Sequence, residues 1–174
     1  MDDWGFPWVK EVGFRKAPAS DILVENMTAR HTGVGMNFKS GLTRGGCVRD
    51  IYIRNVNLSE VGKMIDFELN WFPESMVKLP ESFLGKPIPE HWKVMTRPVI
   101  PPERGIPVFS DLHFRDITGD KCRIALSGNA STQIPLRNLT FERCRISAKE
   151  SGNAGHAENV RFIGSELIGE TVPG

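Results

Sequence analysis

A chain of 174 residues, 40% hydrophobic and 25% charged, is long enough to bury one sizeable core and has the composition of an ordinary folded domain, which excludes intrinsic disorder. Its formal charge of +1 produces no long-range field, so neither nucleic acid nor a membrane surface is an expected partner, and any anionic ligand has to be held by a few local cations. No apolar run approaches the ~18 residues of a membrane span, and the opening Met1-Asp2-Asp3-Trp4-Gly5 lacks the basic and apolar regions of a signal peptide.

In chain order, one phrase recurs five times: Asp or Asn, an aliphatic residue, any residue, then an apolar β-former. The copies are Asp21-Ile22-Leu23-Val24, Asp50-Ile51-Tyr52-Ile53, Asp111-Leu112-His113-Phe114, Asn138-Leu139-Thr140-Phe141 and Asn159-Val160-Arg161-Phe162. Their starts lie 29, 61, 27 and 21 residues apart, so every interval but one suits a single turn of a solenoid. Each phrase alternates apolar and polar residues behind a turn residue, which predicts strands rather than helices. Second alternating runs follow the phrases at Val34 to Phe38, Ile65 to Leu69 and Cys122 to Leu126. No tight Asn-Gly or Asp-Gly turn joins the runs as hairpins. The expected fold is therefore all-β, a right-handed parallel β-helix forming a single domain over residues 1–174. Val24, Ile53, Phe114, Phe141 and Phe162 fall at one position of the repeat and are expected to point into one core.

The long interval has a compositional cause. Most of the twelve prolines lie between Pro73 and Pro107, and proline removes ladder donors, so residues from about 72 to 108 are expected to leave the sheet as a loop. Trp71, Phe72, Phe83 and Trp92 in or beside it suggest an ordered flap. Cys47, Cys122 and Cys144 are odd in number and widely spaced, which points to free, buried thiols and not to a disulfide framework or a zinc site. The Asp and Asn at the head of each phrase are read as turn formers that bond local backbone, not as metal ligands. No metal or other cofactor is implied.

The stretches Asp21-Ile-Leu-Val-Glu-Asn-Met-Thr-Ala-Arg-His31 and Gly45-Gly46-Cys47-Val48-Arg49-Asp50-Ile-Tyr-Ile-Arg-Asn55 resemble glycoside hydrolase family 28, the polygalacturonase-like enzymes, near their catalytic histidine motif and the repeat that follows. His91-Trp92-Lys93-Val94, Gly105-Ile106-Pro107 and Phe109-Ser110-Asp111-Leu112-His113-Phe114 continue the likeness, as a C-terminal portion of such a protein. The resemblance implies hydrolysis of pectic polysaccharide with inversion by aspartates on neighbouring turns, and a secreted or periplasmic setting. Inversion requires carboxyl groups about 6.5 to 9.5 Å apart, with room for the attacking water. By this likeness Asp2 and Asp3 match the paired aspartates, and His31 stands two residues from the histidine position. The family's Arg-Ile-Lys, which holds a uronic acid carboxylate, aligns on Asp66-Phe67-Glu68. The charge there is reversed, which implies a neutral or otherwise different sugar, or an incomplete catalytic site. A polysaccharide-binding or structural segment without catalysis is the alternative.

Arg30, Lys39, Arg44, Arg49 and Lys63 fall in two consecutive repeats and either line an anionic groove or form a solvated face. Alternation in Val34 to Lys39 and Ile65 to Leu69 turns Met36, Phe38, Ile65, Phe67 and Leu69 inward. Stacked in register, Asn37 lies beside Asp66 and Lys39 beside Glu68, forming a Lys–Glu pair and leaving Asp66 as the exposed group. Catalytic candidates are thus Asp2, Asp3 and His31, and candidate sugar contacts are Arg30, Lys39, Arg49, Asp66 and Glu68. The expected partner is a polysaccharide or oligosaccharide, with self-association through exposed strand edges at the ends of the stack.

Overall fold

A computed structural model describes residues 18–42, 45–70 and 100–169, together with Pro87 and Glu90. Asp2, Asp3, Arg44 and most of the expected flap lie outside the described residues. What is described is nearly all β, eleven strands with one short 3-10 turn at Pro102–Gly105. The strands are β1 (Pro18–Ala19), β2 (Ile22–Arg30), β3 (Val34–Lys39), β4 (Cys47–Val48), β5 (Ile51–Ser59), β6 (Lys63–Glu68), β7 (Val108–Ala130), β8 (Leu136–Glu142), β9 (Arg145–Gly155), β10 (Ala157–Ile163) and β11 (Glu166–Gly169). All belong to one sheet and every pairing is parallel. The sheet curls, because Phe38 on β3 meets Phe114 on β7 edge to face with ring centroids 6.1 Å apart.

The five phrases stack in register. Val24 pairs with Ile53, Ile53 with Phe114, Phe114 with Phe141 and Phe141 with Phe162. A second inward column runs through Ile22, Ile51, Leu112, Leu139 and Val160. Parallel in-register stacking places like on like, so the phenylalanines form a column of stacked rings, 4.9 Å from Phe114 to Phe141 and 5.0 Å from Phe141 to Phe162. Phe38 and Phe67 stack likewise at 4.9 Å on the other wall. Each fully buried ring contributes up to about 3 kcal/mol by transfer from water, so these columns account for much of the core.

The repeat turns its corners on residues with left-handed backbone. At the first corner stand Asp21, Asp50, Asp111, Asn138 and Asn159, all with φ of 54–58°. At the second stand Asn26, Asn55, Asp116, Arg143 and Gly164, and at a third His31, Glu60 and Lys121. This conformation costs a non-glycine residue roughly 1–2 kcal/mol, least for Asn and Asp, which explains why every copy of the phrase begins with one or the other. Side chains at the corners bond from one repeat to the next: Asn55 Nδ2 donates to Asn26 Oδ1 at 2.5 Å, Asn138 Nδ2 to Asp111 Oδ1 at 2.7 Å and Asn159 Nδ2 to Asn138 Oδ1 at 2.7 Å. Arg143 replaces this with a fork, Nε and Nη2 each donating to Asp116 at 2.8 Å. Hydrogen bonds from Ser110 and Asn138 hold the Asp111 carboxyl below its ordinary range, and those from Arg143 do the same for Asp116.

Cys122 and Cys144 are buried, Cys47 is half-buried and all three are free thiols. Burial pushes the Cys144 thiol up, so it acts as a small core residue rather than a nucleophile.

Candidate functional site

The best-developed polar cluster lies on β3 and β6, where the sequence places Lys39, Asp66 and Glu68. Asn37 pairs with Asp66 and Lys39 with Glu68 in register, and Lys39 Nζ stands 3.2 Å from Glu68 Oε2. Both side chains of this pair reach solvent, and the pair resembles an ordinary surface ion pair worth under about 1 kcal/mol.

Asp66 departs from expectation. It is not the exposed group: its side chain is only 4% exposed, and Lys63 Nζ lies 3.0 Å from its Oδ2. The cause is a break in the strand's alternation. A Cβ at Gly35 would meet Leu58, and one at Gly119 would meet the tip of Met64, so positions 35 and 64 face the core. Phe38 and its stacked partner Phe67 also face it, through Phe114. Core-facing positions three residues apart require one kink between them. The same kink brings Lys63 and Asp66, also three apart, to one side, which an unbroken strand forbids. Met64, Ile65, Asp66 and Phe67 are accordingly all buried in succession.

A buried carboxylate tied to a single ammonium is a costly arrangement that persists only where its remaining lone pairs are served. Nearby, Leu69 N–H donates to Asn129 Oδ1 at 2.8 Å, and Asn70 Oδ1 is buried without a hydrogen-bond partner. Buried orphan acceptors are few in folded proteins, and this one stands at the end of β6, two residues beyond Glu68.

The other sequence candidates do not join this cluster. His31 occupies a left-handed corner after β2, its side chain 72% exposed and its Nδ1 3.2 Å from Glu60 Oε2. It lies at the start of the turn into β3, six residues before Asn37. Arg30 ends β2, in register with Ser59. Arg49 pairs with the adjacent Asp50, Nη1 to Oδ2 at 2.8 Å. Arg30, Lys39 and Arg49 thus occupy three separate segments of the repeat. Among the described residues no group of three or more His, Cys, Asp or Glu is arranged to hold a metal ion.

Sequence reasoning named Lys63 only as one of several cations. Its role as the partner of Asp66 was hidden because spacing by three on a regular strand puts two residues on opposite faces. The small Gly35 above bulky Met64 is the local signal of the kink. Compared with protein-family models and with curated protein sequences, the chain matches none.

Proposed function

We propose that this chain is a segment of a right-handed parallel β-helix of the polygalacturonase-like kind, and that it binds pectic oligosaccharide on the β3–β6 face without completing a hydrolytic site there. The observation that carries this reading is the buried Lys63–Asp66 pair beside the in-register Asn37 and Lys39–Glu68. One amide and two ion pairs set on neighbouring strands offer donors and acceptors at the strand spacing, which suits the hydroxyls of a carbohydrate chain. Asp66 is a positioning group that orients Lys63. Glu68 and Asn37 are the sugar contacts. Each carboxylate is matched by a lysine, Asp66 by Lys63 and Glu68 by Lys39, so the face carries no net charge and a neutral sugar is its proposed ligand.

The hydrolytic reading rests on the likeness of residues 21–55 to family 28 and on Asp2 and Asp3, which stand outside the described residues. Inverting chemistry needs a protonated acid and a base with water between them. Among the described candidates, His31 stands at an exposed corner with Nδ1 beside Glu60, and Asp66 is buried beside Lys63.

Two measurements test the proposal. Calorimetric titration with neutral pectic side-chain oligosaccharides should show saturable binding, weakened about tenfold by Glu68→Gln, the effect of one charge-assisted hydrogen bond. Identical binding by wild type and Glu68→Gln, or none by either, contradicts it. Hydrolysis of polygalacturonate by the purified 174-residue chain is expected to be undetectable; turnover near the ~10 per second of a typical enzyme would establish the hydrolase instead.

A further inference from the structure

We draw no further inference here: the strongest candidate, the open cleft at the third corner of the repeat where exposed Lys121, Arg123 and Lys149 stand beside Glu60 and Gly62, is a solvated charged surface with no buried polar side chain in its lining, and nothing in the structure selects a ligand for it.

Discussion

The middle of the stack and its two outer repeats are built from the same phrase, yet they differ sharply in burial. Ile51, Leu112 and Leu139 are at most 4% exposed, whereas Ile22 and Val160, at the same position of the first and last described repeats, are about 40% exposed. Phe114 and Phe141 are 1% exposed, and Phe162, stacked on the same column, is 51% exposed. The register is the same, and among the described residues each outer repeat pairs on one side only while the middle ones pair on both. In such an assembly the interface between repeats, more than the repeat itself, carries the stability.

Substitutions can break that comparison. The largest contrast is expected between Phe141→Ala and Phe162→Ala: the first should cost about 3–5 kcal/mol through lost transfer energy and a cavity, the second about 1 kcal/mol, since half its surface is already wet. Equal losses in urea denaturation would show that burial does not follow the stack. A similar contrast separates the two ion pairs of β3 and β6. Lys63→Met leaves the Asp66 carboxylate buried without a cation and should cost about 2–3 kcal/mol, somewhat reduced because Lys63 itself reaches solvent. Lys39→Met removes a solvated pair and should cost less than about 1 kcal/mol; a larger loss for Lys39 than for Lys63 would reverse the assignment of which pair is structural.

The smallest effect concerns pH. Asp111 and Asp116 are held below their ordinary range by partners at the corners. A depressed carboxyl contributes stability that is fully present above its unfolded value, about 3.9, and is lost as pH falls through the lower folded value. Thermal melts should therefore show a gentle decline below pH 4. The part of that decline caused by Asp116 should disappear in Arg143→Gly, whose backbone conformation the glycine adopts without strain. A slope unchanged by this substitution would mean that the Arg143–Asp116 fork does not favour the ionised carboxylate.

Much of the stacking was legible in the sequence because it depends on short-range rules. A left-handed corner selects Asp or Asn, and period-two alternation selects the inward residue, so Val24, Ile53, Phe114, Phe141 and Phe162 could be aligned without a structure. The Lys39–Glu68 pair followed from the same register. Asp66 did not, because Met64, Ile65, Asp66 and Phe67 are buried in succession, a break that alternation cannot announce. The stacking of Tyr52 on His113 was missed for a different reason: each residue looks like an ordinary outward position in its own phrase, and only side-by-side stacking of repeats 61 residues apart makes them a pair. Corner residues such as Glu60, Lys121 and Arg143 show the limit of the turn signal, since they adopt left-handed backbone without belonging to the residue types that favour it.

The stack as a whole rests on parallel, in-register pairing across the long interval between the second and third phrases. Asn57 and Thr118 are exposed and pair directly across β5 and β7, at a strand spacing of about 4.8 Å that a disulfide can span. In a Cys47→Ser background, which removes the half-buried native thiol, Asn57→Cys with Thr118→Cys should cross-link readily under mild oxidation, as read by mass spectrometry of the peptides. The displaced pair Asn57→Cys with Thr140→Cys should not. Efficient cross-linking of the displaced pair, or failure of the aligned one in a folded protein, would contradict that register.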